Sequence, residues 1–252
     1  MFETNYQTKL KNIVIRNVDN MIMRTLLDRE QYYDPDGEAM RLGISSALWP
    51  LFGLLWPSSI YLSAHLALRP VCPKEMILEI GCGLGLASLV AHRRGAQMTA
   101  SDYHPLAETF LRENLRLNHL PPSLKYRHGQ WGLSIPLTDE QAGRTVLSER
   151  YDLVVGSDLL YERDTPPALA KFIDQHTLPD AEVWIVDANR GYRPAFNRHM
   201  AEYRFDLIDD MSLNQTPDQH GTPAYRGRLL KYRRSGATSL PAETPDVVTL
   251  HQ

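Results

Sequence analysis

The chain is poor in cysteine. Its 252 residues include two, Cys72 and Cys82, ten apart on either side of a predicted strand. They form no C-x-x-C pair, and the nine histidines show no close ligand spacing, so no metal site is expected. So few cysteines exclude a disulfide scaffold and point to a reducing compartment, read here as the cytoplasm. A basic excess is also lacking. Lys and Arg number 27 against 30 Asp and Glu, for a net charge of -3, which argues against a nucleic-acid partner. The start, Met1-Phe2-Glu3-Thr4-Asn5, lacks the basic and apolar regions of a secretory signal. Between Arg41 and Arg69 there is no Asp, Glu, Lys or Arg. A membrane-spanning helix needs about 20 apolar residues, and here Pro50, Pro57, Gly43, Gly53 and five serines interrupt the run. It reads as a buried entry segment, with no stable membrane insertion expected. Gly156-Ser157-Asp158 is not G-x-S-x-G, so no serine nucleophile elbow is present.

What is present centres on residues 76–85. An apolar run from Met76 to Ile80 stops at a turn containing Gly81, Gly83 and Gly85, and a helix-like stretch, Leu86 to Arg94, follows. That order reads as a buried strand, a glycine turn and a helix N-terminus. Glycines allow positive φ and close backbone approach to a ligand, and a helix start presents unpaired N–H groups. A nucleotide-like cofactor is therefore expected.

Further strands are predicted at Gln97 to Ser101, Leu124 to His128, Tyr151 to Gly156, Ala181 to Asp187, 204–208 and Tyr225 to Tyr232. Helices are expected over 60–68, capped by Ser58 and Ser59, from His104-Pro105 to Leu115, from Pro166-Pro167 to about His176, and over 194–203. Ala107, Phe110, Leu111 and Leu115 fall on one helical face. Residues 133–150 read as a polar loop with one helical turn. Residues 1–42 form an N-terminal extension with a hairpin turning at Asn17 to Asn20. It is a lid over the site or, equally, a packed appendage without chemistry. Residues 43–233 form the main domain, and 234–252 are expected to be disordered. Alternating strands and helices, ending in two strands close in sequence, mean an α/β fold with a mostly parallel sheet covered on both faces.

Ligands in such sheets bind beyond the carboxyl ends of the strands. The residues to read are therefore Glu79 to Gly85, Asp102, Gln130 and Trp131, Ser157 to Tyr161, and Asp187 to Arg190. A dinucleotide site wants G-x-G-x-x-G/A. Here the turn is G-x-G-x-G with Leu86 after it, and the pattern favours S-adenosylmethionine over NAD by a modest margin. Glu79 places negative charge where a pyrophosphate would be repelled and a sulfonium cofactor would not. Asp102, ending the second strand of the unit, is placed to accept from ribose hydroxyls. His104 reads as a solvated turn residue. Arg226, Arg228, Lys231, Arg233 and Arg234 read as a solvated sheet edge.

Taken together, Leu55-Trp56-Pro57-Ser58, Glu79 to Gly85, Asp102, Trp131-Gly132 and Asp158-Leu159-Leu160-Tyr161 resemble the family-16 class I methyltransferases, which include many protein-lysine methyltransferases. The likeness covers about residues 43–232. It implies a Rossmann-like sheet, mostly parallel with an antiparallel last strand. It also implies S-adenosylmethionine as methyl donor and S-adenosylhomocysteine as product. By that resemblance Trp56 lines the cofactor pocket and Gly81, Cys82 and Gly83 pass its amino-acid end. Asp102 takes the ribose, Trp131 lies beside the adenine, and Ser157 touches the cofactor. Gln130 stands where many methyltransferases place an acid for the adenine amine, and an amide can still accept that bond. Asp158 and Tyr161 are the catalytic candidates. Asp158 would orient a neutral amine, and Tyr161 would hydrogen-bond or wall the channel. The expected activity is N-methylation of a lysine in a protein substrate. The alternative is a small-molecule N-methyltransferase acting on an amine. From other classes come a cofactor-binding protein without catalysis and an NAD-dependent oxidoreductase.

Overall fold

The structure is a computed structural model that describes residues 6–16, 18–132, 144–215 and 225–235. It opens with an antiparallel hairpin of β1 (Thr8–Ile15) and β2 (Val18–Leu26). A short helix α1 (Glu38–Arg41), a 3-10 turn (Trp49–Gly53) and helix α2 (Pro57–Leu68) follow. Then strands and helices alternate: β3 (Met76–Ile80), α3 (Leu86–Arg93), β4 (Gln97–Asp102), α4 (Ala107–Leu117), β5 (Lys125–His128), β6 (Tyr151–Ser157), α5 (Thr165–Gln175), β7 (Thr177–Asp187) and α6 (Arg193–Glu202). The antiparallel pair β8 (Phe205–Gln215) and β9 (Tyr225–Arg234) ends the described fold.

Seven strands form one sheet in the order β5-β4-β3-β6-β7-β9-β8. From β5 to β7 every pairing is parallel, and β9 runs antiparallel to both neighbours. The apolar runs of β3, β6 and β7 follow from burial on both faces. Ile77, Leu153, Val155, Trp184 and Val186 face the side covered by α2, α3 and α4. Their alternates Leu78, Ile80, Val154, Val183 and Ile185 face α5 and α6. On α4 the predicted face is buried: Ala107, Phe110, Leu111 and Leu115. Phe110 packs against Phe52 and Tyr6, with ring centroids 5.1 and 6.0 Å away. Burial of such a ring contributes roughly 1.5–3 kcal/mol.

Four local expectations are corrected. β1 ends at Ile15 and β2 begins at Val18, so Asp19 and Asn20 are strand residues rather than turn residues. The hairpin is fixed by α4. Asn114 Oδ1 accepts from the Arg24 N–H at 2.7 Å. Asn118 Oδ1 accepts from the Ile22 N–H at 2.8 Å, and its Nδ2 donates to the Ile22 carbonyl at 2.7 Å. Four helical residues rise about 6 Å and two strand residues about 6.6 Å, so an i,i+4 asparagine pair matches alternate strand residues. Second, α2 starts at Pro57 and no side chain caps it. Ser58 is committed instead to the Tyr225 hydroxyl, 2.8 Å away, and the Ser59 hydroxyl donates to the Trp56 carbonyl at 2.8 Å.

Third, β9 is not the sheet edge, because β8 runs on to Gln215 and covers it. Four of its basic residues are paired, Arg228 with Asp210 and Lys231 with Asp209 on β8, Arg233 with Glu182 on β7 and Arg234 with Asp174 on α5, while Arg226 is exposed as expected. Fourth, His104 is buried, at 3% exposure. Its ring stacks on Phe52 with centroids 3.6 Å apart, under the 3-10 turn. Of the loop predicted at 133–150, residues 133–143 lie outside the described residues, as does the tail from 236 onward. The uncharged run after Arg41 is divided between the 3-10 turn and α2. Among the described residues no helix is long and apolar enough to cross a membrane.

Candidate active site

The carboxyl ends of β3, β4, β6 and β7 open into a cleft of about 210 Å3. The glycine turn forms its floor. The Cys82 N–H donates to the Ser101 carbonyl at 2.9 Å, which pins the turn to β4. Gly83 has φ +51°, and a Cβ there would lie 2.8 Å from the Phe52 carbonyl oxygen. A Cβ on Gly81, at φ +57°, would lie 2.5 Å from Leu159 and 3.1 Å from Trp131. The bare backbone thus lets the turn pack directly against Phe52, the loop after β5 and the loop after β6, where no side chain would fit.

Asp102 is the electrostatic centre of this floor. Its Oδ2 accepts from the Gly83 N–H at 2.8 Å and its Oδ1 from the His104 N–H at 2.9 Å. Burial pushes its carboxyl up from the ordinary range, and N–H bonds from His104, Gly83 and Tyr103 pull it back. His104 is neutral, drawn down to about 3 by burial. Its Nδ1 accepts from the Leu106 N–H at 3.2 Å. Burial raises the Cys82 thiol well above its ordinary value, with the carboxylates of Asp102 and Glu79 adding to the effect. It is therefore a poor nucleophile.

Of the sequence-predicted residues, Trp56, Gly81, Cys82, Gly83, Asp102, Trp131, Ser157, Asp158 and Tyr161 line this one cleft. Trp56 is anchored by its indole N–H, which donates to the Leu51 carbonyl at 2.9 Å. Glu79, Gly85 and Gln130 stand behind the wall. Glu79 points to the α3 side of the sheet, where Oε2 accepts from the Ser88 N–H at 2.7 Å and from the Ser88 hydroxyl. Gly85 is the left-handed residue that begins α3. Gln130 is half-buried beside Trp131.

Burial pushes the Glu79 carboxyl up to about 7; the Ser88 bonds oppose this and the charge of Asp102 adds to it. The native state therefore holds this proton more tightly than the unfolded chain, whose glutamate titrates near 4.5. The resulting stability is complete below about pH 4.5 and is lost as pH rises through about 7. Replacing Glu79 by Gln is expected to remove that loss, of up to about 3 kcal/mol, and to leave the opposite trend of His104, whose lowered pKa makes stability rise with pH up to about 6.5. Urea midpoints at pH 5 and pH 8 for both proteins measure it. An identical fall in both would remove Glu79 as the cause.

Asp158 and Tyr161 occupy the loop after β6. Asp158 has φ +59°, and its N–H donates to the Val186 carbonyl at 2.8 Å, tying the loop to β7. Its carboxylate forms an ion pair with Arg190, which follows β7. Tyr161 is hydrogen-bonded to Tyr103, and burial pushes its phenol up to about 12. Arg190, Tyr103 and Phe52 also line the cleft and were missed as site residues. For Arg190 and Tyr103 the signal was present, since one follows the fifth strand of the parallel set and the other follows Asp102. Among the described residues no group of three or more His, Cys, Asp or Glu side chains is placed to hold a metal.

A family profile described as lysine methyltransferase matches residues 43–205. A protein N-lysine methyltransferase from Danio rerio is 29% identical over 148 residues, 57% of this chain and 60% of that protein. The Mus musculus protein named EEF1A lysine methyltransferase 3 is 24% identical over 192 residues, 75% of this chain and 74% of that protein. The match spans about half to three-fifths of the length of several of these curated relatives. Among solved structures, magnesium protoporphyrin IX methyltransferase from Synechocystis, with bound S-adenosylmethionine, superposes with a TM-score of 0.52 at 16% identity. The superposition covers 70% of this chain and 78% of that one, a likeness of fold.

Proposed function

Because the chain belongs to the lysine methyltransferase family, we propose that it transfers a methyl group from S-adenosylmethionine to a lysine side chain of a protein substrate. One observation carries this reading. The Asp158–Tyr161 loop and the Asp102-braced glycine turn face the same cleft from adjacent strands. The cleft suits such a cofactor. Gly81 and Gly83 present bare backbone to the cleft, Trp131 offers an aromatic wall, and the Asp102 carboxylate keeps lone pairs beyond its two backbone bonds. When bound, the cofactor supplies an electrophilic methyl group on a sulfonium.

The remaining work belongs to the chain's own residues. Asp102 accepts from the ribose hydroxyls. Trp56, Cys82 and Ser157 wall the donor pocket, and Gly81 and Gly83 pass its amino-acid end. Glu79 and Gly85 act at one remove, fixing the start of α3. A lysine ammonium has no lone pair, so it must give its proton to water before it can react. The apolar side chains of Leu51, Leu54 and Leu55 at the cleft desolvate the amine and lower its pKa. Asp158 accepts an N–H of the neutral amine and aims its lone pair. Tyr161, held by Tyr103, narrows the channel. The gain is one of position.

Residues 43–233 form the catalytic domain in this reading, and residues 1–42 an extension whose β2 strand docks on the α4 end. Both cysteines are free, which accords with the cytoplasm. Incubation with labelled S-adenosylmethionine and a protein extract tests the activity. Methyl-lysine in the acid hydrolysate is the expected product. Label confined to small molecules would reject the protein acceptor.

A further inference from the structure

The acceptor side of the cleft poses an electrostatic problem. A lone carboxylate beside a lysine stabilises the ammonium, the form that cannot react. Asp158 is such a carboxylate, its side chain only 7% exposed. Yet the structure does not leave it alone. The chain after β7 bends back through Asn189 at φ +60° and Gly191 at φ +94°, and between them Arg190 reaches Asp158 Oδ1 with Nη1. The Asp158 N–H bond to Val186 fixes the two loops against each other.

The other charged and titratable groups around the pair do not do this work. From β9, Tyr225 faces Arg190, but its phenol is pushed up to about 12 by burial and bonded to Ser58, so it is neutral. From the end of β4, Asp102 is held by backbone N–H groups, and burial raises the Tyr103 phenol beyond its ordinary range. On the loop of Asp158 itself, Tyr161 is neutral and Glu162 adds negative charge. His104 is neutral. Asp187, behind the loop, has its carboxyl raised by burial. Among the described residues lining the cleft, Arg190 is the one permanent cation. Burial lowers its pKa, but a guanidinium starts so high that it stays charged.

We propose that Arg190 is a positioning residue that cancels the charge of Asp158, so that the acceptor meets an oriented oxygen without a net negative field. This rests on the methyl-transfer reading above. The free Oδ2 of Asp158 accepts one N–H of the neutral amine. The nitrogen lone pair then forms the N–C bond as the S–C bond breaks, and that electron pair stays on sulfur. The methylammonium gives its proton to water. With Arg190 absent, the uncompensated carboxylate would favour every cation in the chamber, the lysine ammonium and the sulfonium alike.

The sulfonium provides a test that needs no acceptor. S-adenosylmethionine carries that positive charge and S-adenosylhomocysteine does not. Calorimetric titration of both into wild-type protein, Arg190→Gln and Arg190→Lys compares them. Arg190→Gln is expected to tighten S-adenosylmethionine by roughly five- to tenfold relative to S-adenosylhomocysteine. Arg190→Lys, which keeps the charge, should hold the wild-type ratio within about twofold. A ratio unchanged in Arg190→Gln overturns the proposal. So does loss of S-adenosylhomocysteine binding in that variant, because Arg190 would then be a structural support. If the wild-type protein binds neither compound, the methyltransferase reading itself fails, a result distinct from either.

Discussion

Replacing Asp158 by Asn is expected to leave S-adenosylhomocysteine binding within about threefold of wild type while lowering methyl transfer about a hundredfold. Asn is the informative substitution because residue 158 sits at φ +59°. Asn and Asp tolerate this left-handed region, whereas Ala would add roughly 1 kcal/mol of strain. The Asp158 N–H bond to the Val186 carbonyl survives the change. What changes is the acceptor site. The amide has one oxygen where the carboxylate had two; that oxygen turns to the guanidinium of Arg190, and the NH2 left facing the acceptor cannot accept its N–H. The lysine amine loses its guide, while the uncharged product of the cofactor, held by other residues, notices little. Initial rates of methyl-lysine formation, beside calorimetry with S-adenosylhomocysteine, separate the two effects. Turnover within threefold of wild type would remove Asp158 from the reaction.

Asp102→Ala should strike binding and folding together. The carboxylate holds the Gly83 and His104 N–H groups, and both lie where water is scarce. Each buried donor left unpaired costs about 1–3 kcal/mol. A total loss of about 2–6 kcal/mol is therefore expected in urea unfolding. Cofactor affinity should fall more than about a hundredfold, since the ribose acceptor disappears and the turn it braces is freed. Asp102→Asn separates the two roles. Its remaining oxygen still accepts one N–H, but its NH2 now confronts the other. Half the stability loss with most of the affinity loss is the expected pattern. Full retention of S-adenosylhomocysteine affinity in Asp102→Asn would move the ribose contact elsewhere.

These two residues were legible in the sequence because their signals are local. Asp102 ends a short strand one unit after a glycine turn, and Asp158 and Tyr161 follow an apolar strand, so the topology alone brings them to one edge. Trp56 and Trp131 were legible through the family resemblance. What was not legible depends on partners distant in the chain. His104 follows a turn-forming aspartate and reads as solvated, and nothing nearby shows that Phe52 will stack on it. Glu79 was read for its charge, but strand alternation sends its side chain to the α3 face, where Ser88 receives it. Arg190 was on the right strand end, but its pairing with Asp158 spans 32 residues. The basic residues of β9 were misplaced because the length of β8 decides which strand is the edge, and Leu207 to Gln215 has no clear apolar alternation.

The asparagine pair of α4 bears on how copies of this protein meet one another. A strand with an open edge invites another chain to pair with it. In the hairpin β2 has β1 on one side, and on the other the amides of Asn114 and Asn118 answer the Ile22 and Arg24 backbone as a third strand would. That side is closed to strand addition by two side chains from a helix almost a hundred residues away. Among the described residues β1 pairs with β2 alone, and it carries exposed Leu10 and Val14. Lys9 and Lys11 flank Leu10 on the same strand, a charged deterrent of the kind that sheet edges use. Colloidal behaviour at this end of the molecule is thus governed by two asparagines and two lysines, none of which touches the reaction.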